Sequence, residues 1–155
     1  MGLVSLPALK KIVFRLKRQK KKIVFTNGCF DLLHAGHIFL LRRAKGLGDV
    51  LIVGLNTDRS ARKLKGKGRP VVPEKDRALV LSALRDVDFV VFFSEPTPIN
   101  LICTLSPDVL VKGSDYQNSQ IVGADWVVFK GGRVVRIPLV KGKSTTAIRR
   151  KIERF

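Results

Sequence analysis

From residue 23 onward the chain alternates short apolar runs with stretches whose apolar residues recur every three or four positions. The runs Ile23–Thr26, Val50–Leu55, Phe89–Phe92, Val109–Val111 and Val134–Ile137 are β-branched or aromatic, and apolar at successive positions. That is how strands covered on both faces read. Between them, helical spacing predicts helices near 37–46, 74–84 and 97–105, the second introduced by Pro73 with Glu74 and Asp76 in its first turn. Residues 119–130 carry two signals. Trp126–Phe129 suits a strand, but the following Gly131-Gly132 suits a helix C-cap, and the helix is preferred. Ser144 can cap a last helix over 145–154. Ahead of the alternation, residues 7–21 form a helix, with Ser5 as cap, Pro7 in the first turn, and Leu9, Ile12 or Val13, and Leu16 on one face. The whole pattern predicts an α/β fold, a parallel, doubly wound sheet of five strands in a single domain. Residues 1–22 stand out as a basic N-terminal helix ahead of the alternating domain over 23–155.

In such a sheet ligands bind at the carboxyl ends of the strands, where the winding reverses. Polar residues gather at those ends: Thr26 to Asp31 after the first strand, Asn56-Thr57-Asp58 after the second, Lys112-Gly113-Ser114-Asp115 after the fourth, and Lys143-Ser144-Thr145-Thr146 after the fifth. Four loops delivering polar groups to one rim make that rim the place to look for function.

Composition changes the picture in one respect. With 45% hydrophobic residues the 155-residue chain can bury a core, but 30 Lys and Arg against 12 Asp and Glu leave a net charge of +18. This excess implies an anionic partner, nucleotide phosphate or nucleic acid, or else a solvated Lys-rich surface such as thermophiles carry. No aromatic residues interleave with the run Lys20-Lys21-Lys22, which favours a solvated helix face over a nucleic-acid contact. Cys29 and Cys103 are the only cysteines, in neither a disulfide nor a metal-binding pattern, so a reducing compartment is expected. No apolar run approaches the ~20 residues of a membrane span, and no secretory leader is visible; a cytoplasmic protein that does not enter membranes is expected.

The chemistry concentrates in Thr26–Asp49. His34 and His37 stand three residues apart where a buried strand gives way to a helix, with Gly28 and Gly36 punctuating the connection. Unpaired N–H groups and the helix dipole favour anions at such an end, and two imidazole donors beside it suit charge that builds on phosphate during reaction. Transfer of a nucleotidyl group from a nucleoside triphosphate needs chiefly positioning and electrostatic stabilisation. Gly36 leaves room for base or ribose near the backbone. Lys63 and Lys65, with Gly66 and Gly68, can close over a triphosphate, although KLKGKGR alone reads as an exposed loop. Arg77 and Lys112 can hold further phosphates. Other readings stay open. The histidines with Cys29 could ligate zinc, but no fourth ligand suggests itself. Asp58 and Asp115 could cap helices or turns, and Cys103 reads as core.

These residues carry a family resemblance. CFDLLHAGH resembles the HxGH signature of the cytidylyltransferase-like nucleotidyltransferases, a Rossmann-like superfamily, and KSTTAIRRKI is similar to its second signature, ISTTxI. The ordered blocks TNGCFDLLHAGH, GLNTD, LKGKGRPVVPEKDRALVLSAL, VDFVVFF, PDVLVKGSDY, IVGADWV and STTAI look like the adenylyltransferases of bacterial ADP-heptose synthesis, over nearly all of Thr26–Ile152. The resemblance implies ATP and D-glycero-β-D-manno-heptose 1-phosphate as substrates, magnesium on the triphosphate, a homodimer, and a sugar kinase that is commonly fused and here would be separate. It makes His34 and His37 the phosphate-stabilising pair, Lys65 or Lys63 the mobile-loop lysine, and Arg77 a triphosphate ligand. Thr26, Asn27, Gly28, Cys29, Phe30 and Gly36, with Asn56 and Asp58, and Lys112, Gly113, Ser114 and Asp115, would bound the nucleotide pocket. Ser144, Thr145 and Thr146 would meet the β- and γ-phosphates. Lys143 departs from the family pattern, which has an uncharged residue before STT; Lys112 and Lys143 are the expected holders of the acceptor's phosphate.

Two rivals keep the fold and change the acceptor, glycerol-3-phosphate cytidylyltransferase and FMN adenylyltransferase. A third, a basic nucleic-acid-binding module, predicts an eroded catalytic set, whereas both histidines, Arg77 and STT are present.

Overall fold

A computed structural model describes residues 2–114, 121–152 and 154. Its elements run β1 (Gly2–Leu3), α1 (Leu6–Arg18), β2 (Ile23–Gly28), α2 (Ala35–Lys45), β3 (Val50–Asn56), α3 (Asp58–Lys65), α4 (Glu74–Ser82), β4 (Phe89–Phe93), α5 (Ile99–Leu105), β5 (Val109–Gly113), α6 (Ala124–Phe129), β6 (Arg133–Ile137) and α7 (Thr145–Ile152). The strands form one sheet in the order β1-β4-β3-β2-β5-β6, every neighbouring pair parallel.

The sheet has six strands where the apolar pattern predicts five. The extra one, β1, is two residues long, too short to show a pattern, and is held on the edge by Gly2 N–H to Asp88 O and Val4 N–H to Val90 O, both 2.9 Å. A second departure is α3. Lys63-Leu64-Lys65 is the end of a helix capped by Thr57, whose Oγ1 accepts the Ser60 N–H at 3.3 Å, and the open loop begins only at Gly66. Within the ambiguous stretch 119–130, Ala124–Phe129 form the helix α6, while 119 and 120 lie outside the described residues.

Alternate residues of each strand feed two cores. Phe25, Ile52, Val91 and Leu110 pack with Leu9 and Val13 of α1, Leu101, Ile102 and Leu105 of α5, and Val127 of α6. Val24, Leu51, Val53, Val90 and Val111 pack with Leu41 and Ala44 of α2 and Ala78 and Leu81 of α4. The N-terminal helix is therefore part of one core, with Leu9 fully enclosed. Burying both faces at once is what makes the strands read as continuous apolar runs. Strand β2 is the hinge of the topology: the chain winds to β3 and β4 on one side, then returns to β5 on the other. A crevice opens where β2 and β5 end. Among the described residues, no helix is long and apolar enough to cross a membrane.

Candidate active site

A cavity of about 580 Å³ fills that crevice. Thr26, Asn27 and Gly28 reach it from β2, Lys112 and Gly113 from β5, and His34, Gly36 and His37 from the start of α2. Ser144, Thr145 and Thr146 line it from the start of α7, and Lys65 from the end of α3.

His34 is the N-cap of α2. Its extended backbone (φ −143°, ψ 170°) lets the ring fold back so that Nδ1 accepts the Gly36 N–H at 3.1 Å. His37 reciprocates, its Nδ1 accepting the His34 N–H at 3.4 Å, a capping box built from two imidazoles. The rings stack with centroids 3.9 Å apart and planes 21° from parallel. A ring nitrogen that accepts an amide hydrogen carries no proton, so each imidazole keeps its hydrogen on Nε2. Burial lowers the pKa of both. His37 falls from 6.5 to about 4, through burial first and the neighbouring His34 second, against a smaller pull from Asp31. The pair therefore meets a ligand at neutral pH as two uncharged N–H donors. Stacked rings do not converge on a metal, and among the described residues no three His, Cys, Asp or Glu side chains are grouped to hold one.

The backbone around the pair is shaped to hold it. Phe30 takes φ +45°, a left-handed conformation that costs a residue with a Cβ on the order of 1 kcal/mol. It brings the Phe30 ring to 5.2 Å from that of His37 and buries it. At Gly36 a Cβ would stand 3.0 Å from the His34 ring and 3.1 Å from the Lys143 carbonyl oxygen, so glycine allows the starts of α2 and α7 to meet. Ser144 caps α7 as its sequence predicts, Oγ accepting the Ala147 N–H at 3.1 Å. Two helix N-termini with their orphan donors thus border one cavity.

Most of the expected pocket residues line this cavity; some stand behind it. Arg77 is 2% exposed and its donors are taken internally: Nε by Val72 O at 2.9 Å, Nη1 by the Cys29 and Asn56 carbonyls, and Nη2 by Asp58 Oδ1 at 2.6 Å. It braces the ends of β2 and β3 and the start of α3 from behind the cavity wall, with four of its five N–H donors engaged there. Asp58 is its counter-ion, and Asn56 is buried, its Nδ2 donating to Ser60 Oγ at 3.1 Å and its Oδ1 accepting from Cys29 Sγ. Cys29 itself lines the cavity, and burial raises its thiol pKa. Lys63 and Ser114 are not on the cavity wall, and Asp115 lies outside the described residues. Lys112 is on it and donates to Asn27 Oδ1. The reading by motif passes over Asp31 and Arg69, which face the cavity as an ion pair, and Leu139 and Val140, which give it an apolar edge. Asp31 belongs to the same block as the histidines and Arg69 directly follows Gly68, so proximity to recognised residues was the available signal.

The cytidylyltransferase-like family model matches residues 25–151, most of the chain and both halves of the cavity. The bifunctional protein HldE of Geotalea uraniireducens is 54% identical over 148 residues, which are 96% of this chain and 30% of that protein. The bifunctional protein HldE of Helicobacter pylori strain J99 is 52% identical over 146 residues, 94% of this chain and 31% of that one. The chain thus spans just under a third of the length of these curated relatives. The crystal structure of the lipopolysaccharide core biosynthesis protein from Thermoplasma volcanium superposes with a TM-score of 0.64 at 28% identity, covering 78% of this chain and 98% of that one. Pantoate-beta-alanine ligase from Francisella tularensis, complexed with beta-gamma ATP and beta-alanine, shares the fold at a TM-score of 0.65 and 18% identity, over 100% of this chain and 78% of that one. With the family model running from β2 into α7 and relatives more than half identical across it, the chain belongs to the cytidylyltransferase-like family.

Proposed function

We propose that this protein is a nucleotidyltransferase that moves AMP from ATP to D-glycero-β-D-manno-heptose 1-phosphate, giving ADP-heptose and pyrophosphate for cell-envelope sugar. The observation that carries the reading is the meeting of α2 and α7 over the β2–β5 crevice, with the stacked histidines on one helix start and Ser144 on the other. A phosphate oxygen of the acceptor attacks the α-phosphorus of ATP, and the bond from that phosphorus to the pyrophosphate oxygen breaks. Negative charge spreads over the α- and β-phosphate oxygens, and His34 and His37 donate Nε2–H to them without carrying a proton away. Ser144, Thr145 and Thr146, at the start of α7, suit the β- and γ-phosphates, and Lys65 closes over them from α3.

Magnesium fits this cavity as part of the nucleotide. Among the described residues Asp31 is the only acidic side chain on the wall, and both its oxygens are engaged by protein donors. The ion would be held by phosphate oxygens and water, and supplies neutralisation of triphosphate charge. The proposal extends to the setting: a cytosolic enzyme, working as a homodimer and supplied with its sugar phosphate by a kinase activity. The test is pyrophosphate release with ATP or CTP against heptose 1-phosphate, glycerol 3-phosphate and FMN. ATP with heptose 1-phosphate should exceed every other pair by at least tenfold, a margin within reach of pocket discrimination. Preference for CTP with glycerol 3-phosphate, or for FMN, would reassign the substrate.

A further inference from the structure

We propose that Arg69 is the cation that takes the acceptor's phosphate, and that Asp31 is the positioning residue that holds Arg69 at the cavity wall. This rests on the transfer reaction above and adds the acceptor's subsite to it. The displacement requires the acceptor to approach the α-phosphorus from the side opposite the departing pyrophosphate. With the pyrophosphate end of ATP at the start of α7, the acceptor needs a cation on a different wall. Arg69 is on one, the wall formed by the loop between α3 and α4.

Asp31 fixes that loop with both carboxylate oxygens. Oδ2 accepts from Arg69 Nη1 at 2.8 Å, and Oδ1 accepts the N–H groups of Val71 at 2.8 Å and Val72 at 2.9 Å. The two side chains are 8% and 14% exposed, so the pair is shielded from bulk water and held more firmly than one on the open surface. Burial by itself would raise the carboxyl pKa; the Val72 and Val71 amides and the Arg69 guanidinium more than offset it and hold the group below the usual carboxylate range. The clasp stays ionised at any pH where the enzyme would work. Just upstream, Gly66 and Gly68 take φ +89° and +78° with nothing within 4 Å of where a Cβ would be, so the chain before Arg69 has freedom that Asp31 ends.

The other cations on the wall are less suited. Lys112 donates to Asn27. Lys143 immediately precedes Ser144, the cap of α7, which puts it on the triphosphate side. Lys65 ends α3 beside Gly66, where it can follow a closing loop. A guanidinium has five N–H donors in a planar fork, and one donated to Asp31 leaves a pair for two phosphate oxygens.

The experiment uses the full chain and two variants. Asp31→Asn keeps an oxygen for the Val71 and Val72 amides but turns an NH₂ toward Arg69, so it breaks the guanidinium contact alone. Arg69→Lys keeps the charge and loses the fork. Each should raise the acceptor KM about tenfold while kcat and the KM for ATP stay within about twofold, the pattern of a lost uniform binding contact. The double variant should be no worse than the more affected single one, because both act through one guanidinium. The binding probe is inorganic phosphate, titrated by calorimetry into protein saturated with a non-hydrolysable ATP analogue. It should bind the wild type and bind both variants several-fold more weakly. This arm does not depend on the sugar, so failure of the wild type to turn over heptose 1-phosphate would remove the functional reading and leave this one standing. Phosphate binding that is absent in the wild type or unchanged in the variants would overturn the assignment, as would defects confined to kcat or to ATP. If Asp31→Asn does not fold, Arg69→Lys decides alone.

Discussion

At the scale of single residues, one geometry lets the histidine pair cap a helix and, in the function proposed above, donate to phosphate. Each Nδ1 caps a backbone N–H of α2, and this leaves each Nε2–H free to donate. A cap removed by mutation costs about 1 kcal/mol, while loss of a donor aimed at transition-state charge costs about 10²–10³ in kcat. His34→Ala and His37→Ala should therefore remain folded and lose activity by the latter factor, with a much smaller change in ATP affinity. Turnover within threefold of wild type in a folded variant would remove the role. The same geometry makes a prediction in pH. The folded-state pKa of His37, about 4, lies below its ordinary 6.5, so the unfolded chain takes up the proton first as pH falls. Stability is thus fully present above about pH 6.5 and declines toward pH 4, by an amount on the order of 1–2 kcal/mol between pH 7 and 5. Urea midpoints at the two pH values measure it. His37→Asn keeps an acceptor near the Nδ1 position and has nothing to protonate, so its midpoint should move much less. Equal movement in both proteins would place the proton elsewhere.

At the scale of elements, Arg77 shows why burial and charge are compatible here: one guanidinium satisfies three carbonyls and a carboxylate from three stretches of chain. Removing one side of such a network strands the rest, at about 3–5 kcal/mol. Arg77→Met should lose about that much in a urea titration, and Arg77→Lys somewhat less, with the KM for ATP in the folded fraction near wild type. A stable Arg77→Lys with a strongly raised KM for ATP would return Arg77 to the triphosphate. This residue also marks what the sequence could convey. Motif position singles out Arg77, but spacing alone does not say whether an arginine on α4 faces inward or toward the ligand. Strands β2 to β5 are legible because each opens on a run of apolar residues buried on both faces, and β6 because Val134, Val135 and Ile137 keep an apolar run on the sheet edge. β1 is not, because two residues hold no period, and α3 is hidden because its residues are mostly polar, its single leucine, Leu64, is exposed, and its end merges into the glycine-rich loop. The histidines, Gly36 and Ser144 were readable as a helix start and a cap, since both depend on local chemistry. The Asp31–Arg69 pair spans 38 residues, and only the fold brings it together.

At the scale of the whole molecule the charge is the outstanding property, and the fold tells where it does not go. With 12 acids for 30 bases, most cations have no acidic partner whatever the packing, and only a few are needed at the cavity wall. Lys10, Lys11, Arg15 and Arg18 project from the exposed side of α1 while Leu9 and Val13 anchor its other side in the core. Such a surface must attract any polyanion, but attraction of this kind carries no sequence information and weakens as salt rises. DNA should bind at low ionic strength, with affinity falling linearly on a log–log plot against salt and becoming negligible near 0.2 M. It should show no preference between sequences. Deleting the N-terminal segment is not a clean test, because it removes β1 from the sheet and two residues from the core. Lys10→Glu, Lys11→Glu and Arg18→Glu together change the surface and leave the apolar face intact. This variant should bind DNA several-fold more weakly at 50 mM salt and release pyrophosphate at the wild-type rate. Nanomolar, sequence-selective binding at physiological salt, lost in the same variant, would show instead that α1 is a nucleic-acid interface and that the charge was selected for it.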